Sequence, residues 1–340
     1  MEKNELRRTL VRAAVHKGIQ EIREDPERGI RKLVDLGSHF ARGNFQKVIF
    51  QLMQEQMIHE NSGYHRLAKR VITEVEPKVL EDFGINIGYN CWTEGAKRIR
   101  RYEETNGYNV PWCILLDLSG GAQFDADDLM TQGEKLGIYC YLLFTKDAAQ
   151  AGALYPMLHR HKDSAVLLFA GEDALPQVNM EHVTNVLYVL PAQGDNVLVH
   201  AEEMRKRGCC CGVWESYDEE NIGRLTSGEA ERFAQETGAM SLFVLPKQSQ
   251  SGRAVRNKMR MHVLKAREKA EYACFTVDLM EDIQRIDRII SVESCMLCIS
   301  GDGCAVTMEK KHENLNIRSI SLEDMLMCTM PKVTYVREKE

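Results

Sequence analysis

From about residue 109 the chain alternates short apolar runs with helical stretches, and this rhythm constrains the fold more than any other feature. Seven runs rich in β-formers fall at 112–117, 138–144, 165–170, 185–190, 209–214, 241–245 and 273–277. They recur every 20–35 residues or so, and helical patterns at 125–136, 151–161, 195–207, 226–237 and 253–269 lie between them. Two parallel strands need a long crossover between them, so repeated βα alternation predicts a parallel sheet covered by helices. An open or closed α/β barrel satisfies the pattern, and so does a doubly wound sheet.

Before this region the sequence reads as helix after helix. Asn4 is placed to cap a helix running to Arg23, and Asp25 followed by Pro26 starts another. Phe45, Val48, Ile49, Leu52, Met53 and Met57 recur at helical spacing, and further helices are expected near 63–75 and 91–105. After Asp278 the pattern changes again. Residues 293–300 and 304–308 flank Gly301-Asp302-Gly303 and read as a β-hairpin, followed by a short helix that Ser321 caps. Three segments result: a helical one at 1–108, a βα one at 109–278 and a small extension at 279–340.

Composition narrows the function. The 340 residues carry 44 Lys and Arg against 50 Asp and Glu, a formal net charge of −6. Such a balance argues against a phosphate-backbone binder, whose affinity comes from clustered positive charge. No apolar run nears the roughly 18–20 residues of a membrane span, and the charged start, Met1-Glu2-Lys3-Asn4-Glu5, does not read as a signal peptide. A cytoplasmic protein is expected, with its 11 cysteines held mostly as thiols.

Four stretches together resemble the radical SAM superfamily, in its members with an N-terminal helical block and a SPASM/twitch-type C-terminal extension. The first is Tyr108-Asn109-Val110-Pro111-Trp112-Cys113-Ile114-Leu115-Leu116-Asp117, similar to the entry into barrel strand one. The second, 127–139, is similar to the helix and second strand that follow, and the third, Gly212-Val213-Trp214-Glu215-Ser216-Tyr217, to strand five. The fourth runs from Asn314 through Asn316, Ile317 and Arg318 to Ser321, Leu322, Glu323 and Leu326, close to the family's tail. The resemblance implies a partial TIM barrel, with a helical domain before it and a β-hairpin and helix after it.

The departures fall on one place. The resemblance implies a C-x3-C-x2-C loop after strand one, whose thiolates hold three irons of a [4Fe–4S] cluster and leave the fourth for S-adenosylmethionine. Here the loop is Leu118-Ser119-Gly120-Gly121-Ala122-Gln123-Phe124-Asp125, without a cysteine. The Gly-Gly-Glu-Pro signature after strand two is replaced by Thr145-Lys146-Asp147-Ala148, and strand four ends in Pro191-Ala192-Gln193-Gly194, with no acidic residue. The expectation is a pseudoenzyme that has lost cluster and S-adenosylmethionine and acts as an accessory, scaffold or substrate-presenting partner. Its candidate partners are an active radical SAM paralogue or a peptide substrate, with no nucleic acid and no membrane.

Two alternatives stay open. Asp117, Lys146, Asp147, Glu172 and Glu215 fall near strand C-termini, where barrels gather functional groups, and could line a polar pocket for a different small molecule. Cys295, Cys298, Cys304 and Cys328 could hold an Fe–S cluster or a zinc ion in the extension. Cys295 and Cys298 read as parts of one strand, where positions three apart face opposite sides, so buried free thiols are favoured. Alternation makes the same case for Cys209-Cys210-Cys211. His159 and His161 read as cations complementing a helix C-terminus. The basic stretches at 97–101 and 253–269 read as solvated helix faces, the sharper option being an acidic partner.

Overall fold

The structure, a computed structural model, describes residues 2–25, 29, 32, 62–171, 183–194, 196–247, 252–291, 293 and 295–332. Seven parallel strands stand in chain order: β1 (Ile114–Asp117), β2 (Cys140–Phe144), β3 (Ala165–Phe169), β4 (Val186–Pro191), β5 (Cys210–Tyr217), β6 (Ser241–Pro246) and β7 (Phe275–Asp278). Every neighbouring pair among these seven is parallel and in sequence order, so the chain advances in one direction from β1 to β7. Within β1–β7 there is no switch point of the kind a doubly wound sheet has. β8 (Leu297–Ile299) then joins the far side of β1, also parallel. β9 (Cys304–Val306) and β10 (Lys311–Asn316) follow as antiparallel neighbours, completing a ten-stranded, mostly parallel sheet. Among the described residues no pairing joins β7 to β8.

The strands read as unbroken apolar runs because both sheet faces are buried. One face packs on the connecting helices. Tyr141 shows this contact: its hydroxyl shares its proton between the Met130 carbonyl, within α5 (Ala126–Leu136), and the Ile138 carbonyl just beyond it, both at 3.0 Å. Gly133 is required there, since a Cβ would sit 2.3 Å from that hydroxyl. Asp125 starts α5 by accepting the Asp127 and Asp128 amides, and Gly137 ends it at φ +103.

The other face is concave. In a flat sheet β3 and β6 would lie about 14 Å apart, three strand spacings. Yet the rings of Phe169 and Phe243, on these two strands, have centroids 5.5 Å apart. Trp214 on β5 likewise reaches past β4 to donate its indole N–H to the Ala170 carbonyl at 3.1 Å. The sheet therefore curls as barrel sheets do.

Helices before β1 cap the N-terminal edge of the sheet. These are α1 (Glu2–Glu24), α2 (Gly63–Glu74), α3 (Pro77–Ile85), a π-helical segment (Asn86–Gly95) and α4 (Ala96–Thr105). Arg70 on α2 donates to the Ala239 and Ala273 carbonyls below β6 and β7. The Glu76 amide donates to the Gly208 carbonyl below β5, and Asn86 and Asn90 bind carbonyls of 162–164 below β3. The helix expected at 45–58 lies outside the described residues, as does Pro26 of the expected start at Asp25-Pro26.

Between strands run α6 (Ala148–Ala153), α7 (Tyr155–Arg160), α8 (Val197–Lys206), α9 (Ile222–Leu225), α10 (Glu229–Thr237) and α11 (Arg253–Lys269). α12 (Leu279–Ile290) links β7 to β8, and α13 (Leu322–Thr329) ends the described chain. The outer edge of β7 is guarded by Arg267, whose Nε donates to the Thr276 carbonyl at 2.8 Å while its guanidinium pairs with Asp282 and lies 4.8 Å from the Phe275 ring centre.

Candidate functional site

The C-terminal ends of the parallel strands define one end of the concave face, where α/β barrels carry their chemistry. Its centre is aromatic. Phe144 closes β2 and stacks on Phe169, which closes β3, with centroids 4.6 Å apart and planes 18° apart. Phe243 of β6 meets Phe169 edge-on, and so does Trp214 of β5 at 6.5 Å. Gly212 makes room for this arrangement, because a Cβ there would lie 3.2 Å from the Phe243 ring. Phe169 and Phe243 are buried and the other two rings half-buried. Four strands thus fill the mouth with their own side chains.

The predicted polar residues do not converge. Asp117 ends β1 and accepts from the Ser119 amide at 3.1 Å and the Ser119 hydroxyl at 2.6 Å, a local turn. Asp147 caps α6 through the Gln150 amide at 2.9 Å, and the Lys146 side chain is exposed. Glu215 is on the wrong face for the expected pocket. It neighbours Trp214 on β5, so alternation turns it toward the helices. There it is buried, accepts from Gln193 at 2.7 Å and pairs with Arg224 of α9. Glu172 lies outside the described residues.

The loop after β1 is short and tied down. Leu118 donates its amide to the Phe144 carbonyl, and Gln150 donates its side-chain amide to the Leu118 carbonyl. The Gln123 amide reaches Gly301, in the β8–β9 turn, at 2.8 Å, and Arg318 binds the Gln123 side chain at 3.3 Å. The C-terminal hairpin and the stretch around Arg318 therefore fasten this loop. Thr145, in place of the glycine signature, spends its hydroxyl on the Phe169 carbonyl at 3.2 Å.

These residues do not fit the cluster that the resemblance implies. Residues 118–125 offer no thiolate; Cys298 stands on β8 opposite Leu115 of β1, and its thiol is pushed up to about 12, by burial first and then by the Asp117 carboxylate. The other C-terminal cysteines point elsewhere. Cys295 precedes β8 rather than lying in it, a correction to the single-strand reading, and donates to Asp287 at 3.6 Å. Cys304 donates to the Glu313 carbonyl, and Cys328 is exposed on α13. Among the described residues no three His, Cys, Asp or Glu side chains form a metal-binding group. Cys210 and Cys211 face opposite sides of β5, both pushed up to about 12 by burial.

His161 also differs from the expectation. Rather than simply facing a helix dipole, its buried ring sits between two carboxylates of α5, Nδ1 at 3.0 Å from Glu134 and Nε2 at 3.1 Å from Asp127. Burial opposes its charge, but the two carboxylates together raise its pKa. The ion pairs contribute stability that is fully present below the unfolded value, about 6.5, and is lost as pH rises through the higher folded value. His161→Gln should cost about 1–3 kcal/mol at pH 6 and less at pH 9. Urea midpoints at the two pH values check this, and an equal cost at both would remove the ion-pair explanation.

The molecule is thus a mixed α/β protein built on a curled, mostly parallel sheet. No family model matches the chain, and no curated protein matches it. Among solved structures it is similar to Streptococcus suis SuiB bound to S-adenosylmethionine, at 11% identity and a TM-score of 0.45. The similarity covers 68% of this chain and 66% of that chain, just under two thirds of its length. Among the described residues no helix is long and apolar enough to cross a membrane.

Proposed function

We propose that this chain is a catalytically inactive relative of the radical SAM enzymes that serves as an accessory, scaffold or substrate-presenting subunit, with an active paralogue or a peptide substrate as its partner. The observation that carries this reading is the loop after β1. It combines the sequence order of the family with a segment whose backbone and side chains are committed to holding one another, and it has no sulfur to offer. The aromatic centre favours this reading over a small-molecule enzyme, since Phe144, Phe169, Trp214 and Phe243 occupy the space a ligand would need. The side chains of the mouth therefore stabilise the fold and shape a surface, and no catalytic step is assigned to them.

Anaerobic reconstitution with iron and sulfide, followed by titration with S-adenosylmethionine, tests the proposal. The expected result is no stoichiometric iron or sulfide, no charge-transfer absorbance and no cleavage of the cofactor. A cluster that cleaves S-adenosylmethionine would overturn it. A cluster without cleavage would also overturn it, in favour of a redox protein using Cys295, Cys298, Cys304 and Cys328. The accessory role has its own test: the tagged protein recovered from its native cells should carry a stoichiometric partner, and recovery as a lone monomer counts against it.

A further inference from the structure

We infer that the solvent face of α11 is a docking surface for an acidic amphipathic helix of a partner protein. The inference names the surface that an accessory role requires, and so it rests on that reading. Charge is the first observation. α11 holds seven of the chain's 44 Lys and Arg and one of its 50 acidic residues, a concentration opposite in sign to the net charge of −6.

The second observation is how these cations are used. Arg260 and Arg267, seven residues apart, share one flank, where Arg267 pairs with Asp282 and Arg260 lies 3.9 Å from Glu281. The opposite face carries Lys258 and Lys265, both exposed and without an ion-pair partner among the described residues. Beside these lysines, along the crest of the helix, stand Met261 at 65% exposure and Leu264 at 36%, with the exposed Glu268 one turn beyond Leu264. The buried stripe of Met259 and Val263 is on the other side, so this exposure is not fraying of a loosely packed helix. His262, bound to Glu231 at 2.7 Å, and Arg267 pin it further.

The chemistry selects one occupant. Two apolar residues three apart, bordered along one side by lysines without an ion-pair partner among the described residues, match the i, i+3 anchors and acidic border of an amphipathic helix lying alongside. Methionine suits such a contact because its unbranched side chain adapts to a partner. A nucleic acid fits worse, since sequence-independent binding draws on roughly 6–10 phosphate contacts and gains nothing from Met261. A membrane surface fits worse as well, because an interfacial helix buries a broad apolar face and α11 has already turned its own toward the sheet.

The probe is a fluorescein-labelled synthetic helix with Leu at i, i+3, i+4 and i+7 and Glu along one border, titrated against the full chain by anisotropy. Saturable binding is expected, weakening as salt rises from about 50 to about 300 mM. Lys258→Glu with Lys265→Glu should weaken it about tenfold or more, and Met261→Asp should weaken it comparably. These positions are solvent-exposed, and circular dichroism would verify that the variants fold. No binding, equal binding by the charge variants, or stronger binding to phosphatidylserine vesicles than to the peptide would each overturn the docking surface. None of these outcomes touches the loop after β1, so an unchanged iron and S-adenosylmethionine result would leave the accessory reading standing without this surface.

Discussion

Phe169→Ala should lower stability by about 3–5 kcal/mol, among the largest effects of a single substitution in the described chain. Two terms add. The ring loses its transfer free energy, and the space it leaves cannot close well. Phe169 is only 1% exposed and touches three other rings, at 4.6, 5.5 and 6.5 Å. Those neighbours are held in place. Trp214 is fixed by its hydrogen bond to Ala170, and Phe243 by the slot that Gly212 leaves. The urea midpoint reads the first effect. The second readout bears on function: an apolar cavity of this kind stays dry and accepts a small aromatic molecule. Benzene should therefore raise the melting temperature of the variant and not that of the parent. A cost below about 1 kcal/mol would mean that the rings do not pack as a unit. A parent protein itself stabilised by benzene would mean the mouth has room, and the small-molecule reading would regain its footing.

The strands were legible because burial on both faces leaves a signature. Runs such as Cys-Tyr-Leu-Leu-Phe at 140–144 have no polar alternation, and all seven predicted parallel strands fall where the structure has them. The turn at Gly301-Asp302-Gly303 and the cap at Ser321 were legible for local reasons, since each uses side-chain or glycine chemistry within a few residues. β10 escaped because Lys-His-Glu-Asn-Leu-Asn is an irregular edge strand with little to bury. α3 escaped although Glu76-Pro77 marks its start, proline at the first helical position being the missed signal. The candidate site was misread where direction matters. Glu215 stands near a strand end in sequence, but its neighbour Trp214 takes the concave side, and no count of residues reveals which of the two points inward. The aromatic centre was invisible for a related reason: Phe144, Phe169, Trp214 and Phe243 look like separate core residues until the sheet curls and brings β3 and β6 together.

Asp278→Asn should stabilise the protein at pH 8 by about 2–4 kcal/mol and leave it nearly unchanged at pH 4. Asp278 ends β7 at the N-cap position of α12, yet its carboxylate makes no capping hydrogen bond of good geometry, and the nearby Glu281 amide opposes only part of its pKa shift. It is 2% exposed, and neither oxygen has a hydrogen-bond partner among the described residues. Burial, followed by the nearby Asp282 and Glu281 carboxylates, pushes its pKa up to about 7. In the unfolded chain an aspartate titrates near 3.9. Between those values the folded state holds a proton that the unfolded state has released. Stability therefore falls as pH rises through this window, by about 1.4 kcal/mol per pH unit at most, and levels off above it. Asparagine keeps the shape and removes the charge, so its advantage grows with pH over the same window. Asp287 makes an internal comparison. It too is pushed up to about 7, chiefly by burial, but it accepts the Trp112 and Cys295 amides at 3.4 and 3.3 Å. Asp287→Asn therefore gives up acceptor strength as well as charge, and its gain at pH 8 should be smaller. The His161 ion pairs fade only above about pH 6.5, so their contribution separates from both by its later onset. Denaturation midpoints of the parent and the two asparagine variants across pH 4–8 decide the matter. An Asp278→Asn advantage as large at pH 4 as at pH 8 would mean that packing, not an unpartnered charge, sets the cost of this side chain.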